Sequence, residues 1–179
     1  MKWYSHRIIT GIFTFILTND FVATTAAIVG SILPDKLEGK NQSRNLRDQY
    51  KNFPLLYNTN EHRKFSHLLV VYAALVAVFF LLTYSMKNYL ILKLPSLVKK
   101  VISHRFTLIN LYALLLYVFT FFFFGALLHV LQDLLFGGVP IFTPYQKFGL
   151  KLKTGGVVEH IILFLSFVIF VLFIKSRGI

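Results

Sequence analysis

The sequence predicts an all-α, polytopic helical membrane protein with three to four membrane-crossing helices and a first apolar block folded as a re-entrant hairpin. Three observations carry that expectation. Hydrophobic residues make up 56% of the 179 residues, above the ~45–50% usual for soluble domains, with a mean hydropathy of +0.65 and only 15% charged residues. The apolar residues are gathered into four blocks, 8–33, 68–86, 106–136 and 157–174. The net charge of +12 comes from Lys and Arg placed between those blocks, the pattern of membrane flanks rather than of a nucleic-acid footprint. Nucleic acid is therefore not an expected partner; the lipid bilayer is. Residues 1–179 read as one membrane-embedded domain, and the lack of cysteine excludes disulfides and thiolate metal sites.

The first block is interrupted by Thr18, Asn19 and Asp20. An ionisable group at mid-bilayer costs ~2.5–3.5 kcal/mol on insertion scales, so one plain lipid-facing helix is disfavoured. Two half-helices, 8–17 and 21–33, folded back with Thr18-Asn19-Asp20 at the tip, avoid that cost. A second reading makes residues 1–26 a secretory leader, with Lys2 and Arg7 as its basic region and Ala23, Ala26 and Ala27 near the cleavage point.

Residues 34–67 form a polar loop, longer than the ~12–15 residues beyond which an unstructured connection is usually functional. The next block, 68–86, has spanning length. Residues 87–105 interleave Leu and Val with Lys93, Lys99 and Lys100 and break at Pro95, which fits an interfacial amphipathic stretch. Block 106–136 would run ~46 Å as a helix, against ~30 Å of hydrocarbon. Its last turns, with His129, Gln132 and Asp133, should therefore lie at an interface or face a protein interior. Residues 137–156 are rich in Gly and Pro and read as a turn-rich connector, followed by the last apolar block.

Most histidines and acidic residues gather at the ends of these blocks that alternating topology places on one side of the membrane. Asp35 and Glu38 follow the first block, His62 and His67 precede the second, His129 and Asp133 close the third, and Glu159 and His160 open the fourth. A hairpin brings His6 to the same side. His129 and Asp133, spaced i, i+4, share a helix face and could share a metal. Read alone, the pair fits a helix-end histidine bonded to its own aspartate better. His62 and His67 do not share a face; Ser66 would cap a helix beginning at His67, leaving His62 in the preceding loop. Taken together, imidazoles and carboxylates converging on one membrane side suit Zn, with Mn or Fe as further candidates. No nucleophile elbow, phosphate-binding Gly-rich loop or Cys/His pair competes.

Several of these residues fall in a family order: Pro34-Asp35 after Gly30-Ser31, then His62-Arg63-Lys64-Phe65-Ser66-His67, then His129 and Asp133, then Gly138-Val139-Pro140 with Pro144, then Thr154-Gly155 with Glu159. In this the chain resembles the membrane-bound metal-dependent hydrolases, also described as LexA-binding, inner-membrane-associated hydrolases. The resemblance implies an integral protein of the bacterial inner membrane whose histidines and aspartates bind a divalent metal. Two positions depart from the family pattern. A second carboxylate falls at Glu38 rather than one residue earlier, and Lys64 stands where the family has a small residue. A fainter likeness to zinc-dependent phospholipase C rests on Trp3, His6, Asp35, His129 and Asp133.

The expected activity is hydrolysis of an ester or phosphodiester, with a lipid as candidate substrate. His6, Asp35, His62, His67, His129 and Asp133 would supply metal ligands, Glu159 or Glu38 would orient or deprotonate water, and Arg63 and Lys64 would hold an anionic group. The alternative is a non-catalytic membrane scaffold or partner-docking protein with a structural metal or polar cluster; the sequence identifies no protein partner. A third reading is an ion or proton pathway through Asp20, His129 and Asp133. With a hairpin, the site side carries Lys2, Arg7, seven basic residues in 36–64, and Lys147, Lys151 and Lys153, against seven on the other side. The positive-inside rule then makes the site side cytoplasmic. If the first block crosses once, the split is nine to ten and the rule is silent.

Overall fold

The computed structural model describes residues 3–38, 65–86, 108–142, 147–150 and 155–178. Helix α1 (Trp3–Thr18) is followed by α2 (Phe21–Gly30), α3 (Leu33–Glu38), a 3-10 turn (Phe65–His67), α4 (Leu69–Ser85), α5 (Leu108–Phe136), strands β1 (Val139–Pro140) and β2 (Lys147–Phe148), and α6 (Val157–Arg177).

The break between α1 and α2 falls where the sequence places it. Asn19 turns the chain with φ +49°, a left-handed conformation that asparagine tolerates better than most residues. Asp20 is extended and caps α2 by accepting the Val22 N–H at 2.8 Å. Its own N–H donates to Thr18 Oγ1, and the Tyr117 hydroxyl donates to its second oxygen. The two helices fold back on each other, with Gly11 against Ile28. Helix α1 begins before the apolar block, at Trp3, so His6 lies on the helix.

Helix α5 is the axis of the bundle. Along α1, His6 meets Gln132, Phe13 meets Phe124 and Asp20 meets Tyr117, so α1 and α5 run antiparallel. Helix α4 is antiparallel to α5 as well: His67 lies beside His129, Phe79 beside Phe123 and Phe119, and Thr83 bonds Thr120 at 2.8 Å. Helix α6 runs parallel to α1, with Ser5 at Glu159 and Phe15 against Phe170 and Phe173.

Helices α2 and α5 approach closely because glycines lie at their contact, Gly30 against the backbone of Phe122 and Gly125 against that of Ala27. A Cβ on Gly125 would stand 1.9 Å from the Ala27 carbonyl oxygen, and one on Gly30 1.8 Å from that of Phe122. In lipid, where burying apolar area drives helix association weakly, such backbone proximity supplies the packing.

Two helices are long and apolar enough to cross a membrane: α5, over Leu111–Phe136, and α6, over Val157–Arg177. The expectation of three to four crossings is thus reached for two among the described residues. Helix α4, at 17 residues, rises ~26 Å and α2, at 10 residues, ~15 Å, short of the hydrocarbon thickness. The outer face of α6 presents Ile161, Phe164, Leu165, Phe167, Ile169 and Leu172, as a lipid-facing helix does. It stops at Gly178, left-handed at φ +69°, with Lys175 and Arg177 in its last turn.

The connector after α5 holds a feature the sequence did not suggest. Strands β1 and β2 pair antiparallel, Val139 opposite Phe148 and Pro140 opposite Lys147. This small hairpin is tied to α4 by Val70 N–H to the Ile141 carbonyl and to α5 by Leu150 N–H to the Leu134 carbonyl. Val139 packs with Tyr72, Ala126 and Val130 into a buried cluster directly beneath the polar end of the bundle. The expected amphipathic stretch 87–105, and His62, Arg63 and Lys64, lie outside the described residues.

Candidate metal centre

Five side chains converge at the end of the bundle where α1 and α4 begin and α5 finishes. His6 comes from the second turn of α1, Asp35 from the first turn of α3, His67 from the 3-10 turn before α4, and His129 and Asp133 from the last turns of α5. The overlong α5 accounts for the last pair: its C-terminal turns face inward, and His129 and Asp133 are each 1% exposed. His6 and His67 are buried to the same degree, whereas the Asp35 side chain is 43% exposed.

The separations are specific. His67 Nε2 lies 3.6 Å from Asp35 Oδ1 and 3.4 Å from Asp133 Oδ2; His129 Nε2 lies 3.4 Å and 3.5 Å from the same two atoms. On the other side of the carboxylate, His6 Nε2 is 3.2 Å from Asp133 Oδ1. Nitrogen and oxygen atoms joined by hydrogen bonds stand nearer, at ~2.7–3.2 Å. Both ring nitrogens of His129 are buried without a hydrogen-bond partner among the described residues. By contrast, donors around a tetrahedral ion with bonds of ~2.0–2.1 Å stand ~3.3–3.4 Å apart along each edge. Two overlapping groups, His6 with His129 and Asp133, and Asp35 with His67 and His129, each bring three donor atoms within 4.8 Å of one another, a spacing that could hold a metal ion.

The surroundings orient these rings. Ser66 Oγ is 2.9 Å from His67 Nδ1, and the Ser66 carbonyl accepts from Tyr72 Oη. This corrects the expected capping role of Ser66: α4 begins at Leu69 after Leu68, with no side-chain cap, and Ser66 engages the far side of the imidazole instead. Such a partner at Nδ1 fixes the ring with Nε2 toward Asp35 and Asp133. His6 Nδ1 lies 3.0 Å from Gln132 Oε1, while Gln132 Nε2 donates to Thr10 Oγ1. The His6 and His129 rings stack with centroids 4.0 Å apart.

Electrostatics follow from the same contacts. Burial pushes the Asp35 carboxyl up, but the His129 and His67 imidazoles facing it prevail and hold it well below the usual carboxylate range. For His67, burial disfavours the imidazolium, yet Asp133 and Asp35 outweigh it and raise the group above an ordinary histidine. A divalent cation would satisfy both carboxylates without requiring protons on the rings.

Of the residues expected to act, His6, Asp35, His67, His129 and Asp133 are brought together. Glu38 closes α3 three residues after Asp35. Glu159 is fully buried at the start of α6, where its Oε1 accepts from Ser5 Oγ and its Oε2 from the Gly155 N–H. His160, its neighbour, is exposed. Sequence reasoning did not single out Ser5 and Thr10. Their only signal is their place on α1: Ser5 adjoins His6, and Thr10 lies one turn further along the same face.

Fold and site together define a helical membrane protein with a buried histidine–aspartate cluster at one end of its bundle. The chain belongs to the YdjM inner membrane protein family, whose model matches residues 1–179. That description specifies the inner membrane and no reaction. No curated protein and no solved structure was found to match the chain.

Proposed function

We propose that this inner-membrane protein holds a divalent metal, Zn before Mn or Fe, on Asp35, His67, His129 and Asp133, and hydrolyses an ester or phosphodiester at the membrane interface. The observation that carries the reading is that His67 Nε2 and His129 Nε2 each stand 3.4–3.6 Å from a carboxylate oxygen of both Asp35 and Asp133. His6 supports the set by taking the other oxygen of Asp133. The ion would supply Lewis acidity, polarising the scissile ester and activating water.

The chain's own residues have separable tasks. Asp35, the one exposed member, marks the side from which water and substrate enter. Glu38, one helical turn beyond it, is the group proposed to take the proton of the attacking water. Glu159, with both oxygens engaged, anchors α1 through Ser5 and so holds His6 in register. His62, Arg63 and Lys64 precede the His67 turn in the chain; His62 is a further candidate ligand, and the two cations are proposed to hold an anionic phosphate or carboxylate group, with a membrane lipid as substrate. The excess of basic residues on the site side supports a cytoplasmic site, with α4 as a third crossing and the α1–α2 hairpin re-entrant.

A second reading is favoured by one feature. With Asp35, His67, His129 and Asp133 all bound to one ion, no position would stay open, as in structural zinc sites, whereas catalytic zinc keeps one. The metal would then fasten α3, α4 and α5 together without turnover.

Elemental analysis of detergent-purified protein beside His129→Ala tests the site. Stoichiometric metal lost in the variant supports it, and two equivalents would add His6 and the second Asp133 oxygen as ligands of another ion. Absence of metal from both, with none taken up on addition, overturns it. Phosphodiester and lipid-ester turnover by the loaded protein, abolished in Glu38→Gln, separates hydrolase from scaffold.

A further inference from the structure

Away from the metal centre, the α1–α2 hairpin and α6 leave a hollow between them. Arg7, Gly11 and Phe15 recur every four residues and so share one face of α1. That face lines the hollow together with Thr24 and Ile28 of α2 and with Phe170 and Ile174 of α6. Its volume is about 520 Å³, within the ~300–1,000 Å³ of ligand pockets. From Arg7 to Asn19 the lining extends ~18 Å along the hairpin, so the hollow is an elongated slot.

The lining is apolar almost throughout, and its one charge stands at one end. The hydroxyl of Thr24 is spent on the Asp20 carbonyl. Arg7 lies beside His6 in the second turn of α1, with its guanidinium 4.3 Å from the centre of the Trp3 ring. It forms no ion pair among the described residues, and no acidic residue lines the slot. Trp3, one turn earlier, is 61% exposed. A tryptophan presented in this way belongs at the membrane–water boundary, which sets the Arg7 cation at the level of the lipid headgroups and the rest of the slot in hydrocarbon.

An elongated apolar slot ending on a single cation matches an amphiphile with an anionic head. The guanidinium offers a fixed fork of donors to phosphate oxygens. A polar solute would leave its hydrogen-bonding groups unpaired against this lining. A helix from a second copy, ~10–12 Å across, is too wide to enter a slot of this length and volume, whereas a single acyl chain is not.

We infer that the slot between α1, α2 and α6 holds one acyl chain of an anionic phospholipid from the surrounding leaflet, with its phosphate on Arg7. The inference rests on the hairpin lying in the bilayer and requires neither metal nor turnover at the histidine–aspartate cluster.

Native mass spectrometry of the full-length protein, after incubation in detergent with equal amounts of phosphatidylglycerol and phosphatidylcholine of the same chain length, reads both occupancy and headgroup choice. Wild type should retain one phosphatidylglycerol per chain, several-fold above phosphatidylcholine. Arg7→Gln should retain the two lipids equally. Ile12→Trp, which fills the slot from the half-buried side of α1, should lose the retained lipid while the helical circular dichroism stays that of wild type. Wild type without preference, or a preference unchanged in Arg7→Gln, overturns the inference. So does lipid retained by Ile12→Trp as by wild type, the behaviour of an ordinary annular shell.

Discussion

Asp35 Oδ1 lies 3.4 Å from His129 Nε2, joining the short α3 to the last turns of α5. The contact exists because the α1–α2 hairpin returns the chain to the end of the bundle it left. Since Asp35 sits at the exposed edge, Asp35→Ala should lower metal affinity by at least the ~10–100-fold typical of losing even an outer-shell partner, with the helical circular dichroism unchanged. Titration with a competing chelator measures it; unchanged affinity removes Asp35 from the ligand set.

Metal uptake should release protons and weaken on acidification. His67 is held above an ordinary histidine by Asp133 and Asp35 against the opposing effect of burial, so protons compete with an ion for this ring to a higher pH than at an ordinary histidine. In the metal-free protein this raised group stabilises the fold below the ordinary histidine range and loses that contribution as pH rises through its folded value. Asp35, depressed despite its burial by His129 and His67, contributes above the ordinary carboxylate range and loses its part as pH falls. Chelator-treated protein should therefore melt at lower temperature when pH rises from mildly acidic to mildly alkaline, while added metal reverses that trend. Parallel curves with and without metal would contradict it.

Gly125→Ala should be among the most damaging small substitutions. Its Cβ would press on the backbone of Ala27, which cannot move without parting α2 from α5; overpacking of this kind costs ~1–3 kcal/mol. Gly11→Ala meets the terminal carbon of Ile28 at 2.9 Å, a side chain free to turn aside, and should be nearly neutral. Thermal unfolding in detergent compares the two, and equal effects would count against the close α2–α5 crossing.

Glu159→Ala should destabilise the protein by about 1–3 kcal/mol, because Ser5 and the Gly155 N–H lose a buried acceptor. Ser5→Ala should cost less, and combining it with Glu159→Ala should add little. Full additivity in that cycle would mean that the two side chains do not act through each other.

Much of the site was legible from the positions of His and Asp relative to the apolar blocks. Alternating topology alone puts Asp35, His67, His129 and Asp133 at one end of a bundle, and the polar interruption at Thr18-Asn19-Asp20 supplies the hairpin that adds His6. The i, i+4 spacing of His129 and Asp133 also survives unchanged, since both lie on one helix. Less visible were residues whose part depends on a neighbour distant in the chain. Nothing local distinguishes Thr10 or Ser5 from any helix serine or threonine until Gln132 and Glu159 stand beside them. Ser66 read as a cap because its sequence context is that of one, but the 3-10 turn leaves it three residues before the helix start and against His67.

By itself the sequence determined the lipid-facing class, the apolar blocks and the end of the bundle at which histidines and aspartates gather, because hydropathy and the length of a helix are properties of contiguous residues. Only the tertiary structure decided which donors meet and at what distance. That outcome depends on how closely α2 can approach α5 through Ala27, Gly30 and Gly125, a packing limit set by the absence of side chains rather than by any polar motif.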